Sequence, residues 1–485
     1  MSTVTPDLIR LYADSDAVAL AQAVKSGEVT ASELIETAIT VIEALDDRLN
    51  AVVIRTFEGA MATARRPGTG RFAGVPFLMK NIGSMWKGTA LTASMKYLEN
   101  FVCGSDSEMV RRIKASGLVM LGRSNVPENG WSIGTEPRLY GPTRNPWNTD
   151  YTPGGSSGGA AAAVAARMVP IAEGSDGGGS IRAPASCCGL VGLKPSRGRI
   201  TYGPEEVDLW FGSIATLCLS RTVRDTAAYL DAVAGSSVGD PYVLPLPGVS
   251  FLANLENAPH RLRIGFTRSQ PWGPSCAPEV LEALDRVVSL CEAMGHDVEE
   301  SALGLPLEEF WARYNDINAV ETAASYDRLA PIVGRPISYD DLAPFNAALL
   351  AYGRSLDAVT YAHSIAAVRK ASQQIARQID RFDVFMTPTL TQPPRPVGYW
   401  SLEEGDRETF LSRWSDAGYL FPFNMSGLPA ISVPAGRSAL DLPIGVQFVA
   451  GLGQEDLLLR LARQVEIAAP WSDRPPPISA ASLVP

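Results

Sequence analysis

The sequence predicts an α/β fold, a large β-sheet covered by helices. Three observations carry this prediction. Helix-like and strand-like patterns alternate along most of the chain. The clearest strand-like run, Gly74-Val-Pro-Phe-Leu-Met-Lys80, is nearly all apolar, as a strand covered on both faces should be. The 485 residues are 46% hydrophobic and 19% charged, enough to bury a sizeable core. Helix-then-strand alternation implies parallel strands with helices packed over the sheet.

In order along the chain, residues 15–58 read as helices. Thr30-Ala-Ser-Glu33 is a capping-box pattern, followed by Leu34, Ile35, Ala38, Ile39, Ile42 and Leu45 on one helical face. Residues 74–80 read as a buried strand ending at Lys80. Ser105-Asp-Ser-Glu108 starts a helix through Ala115, Gly117 stops it, and Leu118–Leu121 reads as a strand. Residues 160–167 form a small-residue helix, residues 168–173 a strand, and a glycine turn then leads to Ser180. Thr222 opens a helix through Ala234. Residues 236–261, rich in Pro, Ser and Gly, read as a surface excursion. The alternation resumes with strand 263–266, helix 277–294 and strand 296–300. Residues 306–382 read as mostly helical, interrupted at Pro331, Pro336 and Pro344. Strand 383–386, a proline- and aromatic-rich loop over 391–415, strands 430–434 and 444–449, and a helix over 454–469 complete the chain. The expected organisation is one domain over 1–485. It comprises an N-terminal helical segment (1–70), a core (71–235) and a segment of variable walls and remaining core elements (236–485).

A net charge of −10 argues against nucleic acid or an anionic membrane as the main partner, because nothing would neutralise phosphates. The N-terminus has no signal-peptide layout, and no apolar run reaches the roughly 18 residues of a membrane span. Six cysteines without a Cys-x-x-Cys point to a reduced, cytoplasmic protein with no structural metal. A monomer or homodimer is expected.

The chemistry concentrates in two glycine-wrapped serines and one lysine. Ser156 lies in Pro153-Gly-Gly-Ser-Ser-Gly-Gly159 and Ser180 in Gly174-Ser-Asp-Gly-Gly-Gly-Ser-Ile-Arg-Ala-Pro184. A serine hydroxyl is a weak nucleophile until a base takes its proton. The three histidines, His260, His296 and His363, all lie far along the chain from this region. Lysine can serve as base only when neutral. That requires its pKa to fall by about three units, roughly 4 kcal/mol of environment. The apolar residues around Lys80 suit this. They equally suit a strand-end lysine whose ammonium reaches water. Gly177-Gly-Gly179 before Ser180 can aim backbone N–H groups at one point, as an oxyanion hole requires. A phosphate cradle is the rival reading of the glycines. However, neither Gly-x-Gly-x-x-Gly in a strand–turn–helix setting nor Gly-x-x-x-x-Gly-Lys-Ser/Thr occurs. Asp176 reads as a turn-fixing residue, and Cys187 and Cys188 as small core residues. Trp131, Trp210, Trp272 and Trp400 are candidates for pocket walls or for packing.

Taken together, these segments closely resemble the amidase signature family. So do Gly141-Pro-Thr-Arg-Asn-Pro-Trp147, Cys188-Gly-Leu-Val-Gly-Leu-Lys-Pro195, Pro422–Ser432 and Leu442–Gln447. The resemblance implies a mixed, twisted sheet and a Ser-Ser-Lys triad. In it Ser180 is the nucleophile, Ser156 the bridging serine, often with a cis peptide, and Lys80 the base. The backbone N–H groups of Gly177, Gly178, Gly179 and Ser180 would form the oxyanion hole. Arg182 would orient the loop, while Gly130, Trp131 and Ser132 would contact substrate. Two positions depart from the family pattern. Asn81 stands where Asp is common, and Gly177 where a bulkier residue is common. The segment 323–330 lacks the Asp-Gly pattern associated with glutamine-using amidotransferase subunits. The overall texture is similar to the branch that includes the 6-aminohexanoate cyclic dimer hydrolases. The implied activity is cofactor-free hydrolysis of amide bonds in small or oligomeric molecules through an acyl-enzyme. Carbamates, anilides and aryl esters suit the same machinery. An amidotransferase subunit and a nucleotide-binding module are the other readings. Pocket walls are expected near Trp131 and in 203–212, 311–330 and 395–415.

Overall fold

The computed structural model describes residues 4–204 and 206–484. Eleven strands form one sheet: β1 (Val52–Arg55), β2 (Pro76–Lys80), β3 (Val119–Ser124), β4 (Ile171–Asp176), β5 (Val191–Lys194), β6 (Ala215–Ser220), β7 (Arg263–Phe266), β8 (Asp297–Glu300), β9 (Val384–Pro388), β10 (Ala430–Arg437) and β11 (Pro443–Ala450). Their order is β1-β3-β2-β4-β6-β5-β10-β11-β9-β7-β8. The α/β class and the mixed sheet agree with expectation.

The sheet is less uniformly parallel than helix–strand alternation implies. β2 is parallel to β3 and β4, and β7 to β8 and β9. The other neighbours are antiparallel. β4 and β5, joined by helix Arg182–Cys188, do run the same way. β6 slots between them, antiparallel to both. A helical connection thus still delivers a parallel return, but not to a neighbouring place. β10 and β11 are joined by a short hairpin, which can only pair antiparallel strands.

Local signals explain most elements. Thr30 and Glu33 close the capping box that starts helix Ala31–Leu49. Ser107 caps helix Glu108–Ala115, and Thr222 caps helix Val223–Val233. Other expectations fail. Val52–Arg55 is a strand paired with β3 rather than part of a helix; its β-branched run outweighs the helical context. Pro331 does not interrupt its helix. It sits in the last turn of Leu307–Val333, so it costs the Asp327 carbonyl its N–H donor but leaves only two further helical residues before the Gly334 cap. The 391–415 loop contains the short helix Arg407–Ser412.

Two apolar clusters flank the sheet. The larger is mostly aliphatic and includes the all-alanine face of helix Gly158–Ala165. The second is aromatic-rich, with Trp131, Trp311, Tyr314, Trp400, Trp414 and Phe421, and it roofs the glycine loop before Ser180. Among the described residues, no helix is long and apolar enough to cross a membrane.

Candidate active site

Lys80 ends β2 with its side chain buried. Its Nζ lies 2.8 Å from Ser156 Oγ, 2.9 Å from Ser175 Oγ and 3.2 Å from the Ser175 carbonyl oxygen. Burial pulls its pKa down to about 7, although the Glu173 and Asp176 carboxylates nearby favour the ammonium. The strand-end lysine reading therefore fails on geometry, because this amine faces hydroxyls inside the protein rather than water. Asn81, buried beside it, accepts from Thr92 N–H (3.1 Å) and donates to Thr92 Oγ1 (2.8 Å). Being neutral, it adds no further charge that would hold the ammonium.

Ser156 follows a cis Gly155–Ser156 peptide bond. Gly155 has no room for a side chain: a methyl group built there would lie 2.7 Å from the Gly134 carbonyl oxygen. Ser180 follows β4 through Gly177–Gly179 and precedes helix Arg182–Cys188. It is only 7% exposed, so little of the residue meets solvent.

The loop folds around one carboxylate. Asp176 accepts from Gly179 N–H (2.7 Å), Ile181 N–H (3.2 Å) and the Arg182 guanidinium (2.9 Å from Nε and from Nη2). Asn424 Nδ2 adds a bond at 2.9 Å. Burial alone would raise this carboxyl, but Arg182 and Asn424 hold it well below the usual carboxylate range. Arg182 also donates to Gln447 Oε1 (2.8 Å) and to the Leu420 carbonyl oxygen (3.0 Å). This network assigns Gly179 N–H to Asp176 and withdraws it from the expected set of oxyanion donors. The N–H groups of Gly177, Gly178 and Ser180 have no protein acceptor among the described residues. The Tyr314 hydroxyl donates to the Gly177 carbonyl oxygen. In a trans peptide the carbonyl and the next N–H point opposite ways, so this bond turns Gly178 N–H away from Tyr314.

Aromatic rings sit over the glycines. A methyl group built on Gly177 would lie 3.1 Å from the Trp210 ring, and one on Gly178 3.4 Å from Trp414. The space that a bulkier residue would take at Gly177 is thus filled by an indole. Of the predicted substrate contacts, Gly130 lies near Ser156, with 3.6 Å between its built methyl and Ser156 Oγ. Trp131 packs on Trp210 (centroids 4.8 Å apart) and donates to Thr322 Oγ1 (3.2 Å). The Ser132 hydroxyl is spent on the Trp400 carbonyl oxygen (2.8 Å). Trp272 packs edge-on against Phe421.

The histidines stand elsewhere. His296 bonds Leu262 N–H and Gln464 at the far edge of the sheet, and His363 is on helix Ala358–Ile379. His260 is exposed just before β7. Burial pushes the Cys187 thiol up to about 12 and raises Cys188 well above the ordinary thiol value, which makes both poor nucleophiles. Among the described residues, no three His, Cys, Asp or Glu side chains stand together as a metal site would need. Sequence reasoning missed the roles of Glu173, Ser175, Tyr314, Asn424 and Gln447. Ser175, Asn424 and Gln447 lie in segments that carry the family resemblance but have no mark of their own, whereas Glu173 left a signal as a charged residue inside an apolar strand. It accepts from Lys80 N–H (2.9 Å) and from the Ser84 hydroxyl, and burial pushes its carboxyl up.

The Amidase family profile matches residues 33–459, and the chain belongs to that family. It is a hydrolase acting on carbon–nitrogen bonds of amides. It is 37% identical over 476 residues to the 6-aminohexanoate-cyclic-dimer hydrolase of Paenarthrobacter ureafaciens, covering 95% of this chain and 96% of that one. It is 38% identical over 468 residues to the putative amidase AmiC of Mycobacterium tuberculosis (strain CDC 1551 / Oshkosh), covering 95% of each. A solved structure of 6-aminohexanoate cyclic dimer hydrolase superimposes with a TM-score of 0.92 at 36% identity, covering 96% of this chain and 99% of that one. A bacterial aryl acylamidase gives a TM-score of 0.84 at 27% identity, covering 95% and 97%.

Proposed function

We propose that the protein cleaves amide bonds of small or oligomeric substrates through an acyl-enzyme on Ser180, with Ser156 as proton relay and Lys80 as base. One observation carries this reading: the buried Lys80 amine, with a pKa near 7, stands 2.8 Å from Ser156 Oγ. Ser180 Oγ attacks the amide carbonyl and passes its proton to Ser156, whose own proton goes to neutral Lys80. The N–H groups of Gly178 and Ser180, with Gly177, receive the oxyanion. Ser156 then protonates the leaving amine and is reprotonated by Lys80. Water, deprotonated by the same relay, releases the acid.

The full-length similarity to an enzyme named for a cyclic amide dimer supports oligomeric secondary amides as the substrate class. The aromatic roof of Trp131, Trp210 and Trp414 supports anilides and aryl esters as the second class. Carbamates present the same reacting carbonyl. The free, buried cysteines are consistent with a cytoplasmic enzyme. The test is a hydrolysis panel of cyclic and linear oligoamides, anilides, carbamates and esters, with Ser180→Ala as blank. A fluorophosphonate should label the Ser180 peptide. Full activity of Ser180→Ala, or label on Cys187, ends the reading.

A further inference from the structure

A cavity of about 770 Å³ lies at the other end of helix Arg182–Cys188 from Ser180. Residues Gly189 and Leu190, just past that helix, form part of its floor, with Val287, Leu290 and Val465. The seven-residue helix separates it from the nucleophile loop by about 10 Å of axial rise. A C-terminal strap, 469–476, covers one side.

The charges around this cavity are one-sided. Its lining includes five arginines and a single acid, Asp473, in a chain whose net charge is −10. The arginines fall into two groups. Arg167 and Arg221 are both more than nine-tenths buried. Arg167 pairs with Asp14 (2.9 Å), but Arg221 has no carboxylate within ion-pair distance among the described residues; Asp225 and Asp16 act on it only from further off, and it gives one N–H to the Ser15 carbonyl oxygen. Burying a guanidinium without a carboxylate in direct contact is costly, and an anion at hydrogen-bond distance offsets that cost. In the second group, Arg437 and Arg474 share one carboxylate, Asp441 (3.5 and 2.6 Å). Among the described residues, Arg286 makes only a 3.4 Å bond, to the Ala435 carbonyl oxygen. Gly436 admits it, since a methyl group there would lie 2.0 Å from Arg286 Nη2.

A tryptophan braces each group. The Arg437 guanidinium lies 3.7 Å over the Trp147 ring, and Trp147 donates to the Cys188 carbonyl oxygen (2.9 Å). Trp471 donates to the Arg221 carbonyl oxygen (3.0 Å). With both indole N–H groups satisfied, what remains for a ligand is apolar surface between two sets of guanidinium donors. Phosphate or sulfate would use one set and leave the apolar floor wet.

We propose that this cleft is a binding site for a small organic dianion with an apolar body, of the aliphatic dicarboxylate class. The claim concerns binding alone and stands whether or not the catalytic reading holds.

The test is calorimetric titration of the full chain with adipate, hexanoate, hexylammonium and sulfate, in wild type and in Ser180→Ala. Adipate should bind equally in both proteins. Hexanoate should bind about tenfold more weakly and hexylammonium not at all. Arg437→Gln and Arg286→Gln should each weaken adipate by about tenfold while leaving amide hydrolysis unchanged. Arg286 is exposed, so its variant keeps the test decisive if Arg437→Gln folds poorly. Four outcomes overturn the proposal: no binding up to about 10 mM; sulfate binding as tightly as adipate; binding lost in Ser180→Ala; or indifference to both arginine variants. A dimer that Arg437→Gln dissociates, without adipate binding, would replace the ligand by a second copy of the chain.

Discussion

Two lysines are buried in this protein, and burial brings each to a pKa of about 7. Lys80 faces Ser156 Oγ and Ser175 Oγ. Lys194, at the end of β5, donates to the Pro195 carbonyl oxygen (2.8 Å). A carbonyl has no proton to give, whereas a hydroxyl does. A lowered pKa therefore makes an amine available, but the atom opposite decides whether it acts as a base.

The comparison breaks most clearly on Lys80. Lys80→Ala should lower amide hydrolysis by about a thousandfold or more, without loss of fold in circular dichroism. In the wild type the rate should rise with pH through about 7, as the amine loses its proton. That limb should vanish in Lys80→Ala and persist in Lys194→Met. A pH profile that follows Lys194 instead would reverse the assignment.

Ser156→Ala tests the hydroxyl opposite Lys80. A loss of about a hundredfold is expected, larger for amides than for activated esters, because a poor amine leaving group needs the returned proton. Equal losses for both substrates would remove Ser156 from the relay.

Tyr314→Phe sharpens a different point, the aim of Gly178 N–H. The expected result is about a tenfold fall in kcat at unchanged KM, with a matching loss of affinity for a boronic acid that mimics the oxyanion. A change in KM alone would make Tyr314 only a wall residue.

The smallest effect on rate, and the most direct on stability, belongs to Lys194→Met. An unfolded lysine titrates near 10.5 and this one at about 7, so between those values the unfolded chain holds more protons. Stability should thus rise with pH across that window, and the full penalty is present below pH 7. Replacing Lys194 should stabilise by about 2–5 kcal/mol below pH 7 and by progressively less toward pH 10.5. Chemical denaturation at pH 6 and pH 10 measures this.

The legibility of the sequence follows the range of the physics. Ser156, Ser180 and the glycines before each were readable because the backbone constraints they answer are local. The Thr30–Glu33 capping box was readable for the same reason. β6 was not, because Ala215-Thr-Leu-Cys-Leu-Ser220 has little β-branched character and its place is set by two distant neighbours. The mixed sheet could not come from alternation for the same cause. Asp176 was read as a turn-fixer, which it is, but Asn424 and Gln447 reach its network across more than 240 residues. The commitment of Gly179 N–H to Asp176 depends on how the loop curls, which composition does not encode. Tyr314 lies in a 27-residue helix with nothing local to mark it.

The proposed catalytic groups and most of the rings that roof them are drawn from different stretches of the chain. Lys80, Ser156 and Ser180, with the roof residue Trp131, fall within one hundred or so consecutive residues, whereas Trp311, Trp414 and Phe421 come from far downstream. Heredity can therefore rewrite the roof without touching the floor. A mutational library for new acyl groups belongs on Trp311, Trp414 and Phe421. Tyr314 should be left out of it, since that one hydroxyl stitches the mutable half to the Gly177 peptide.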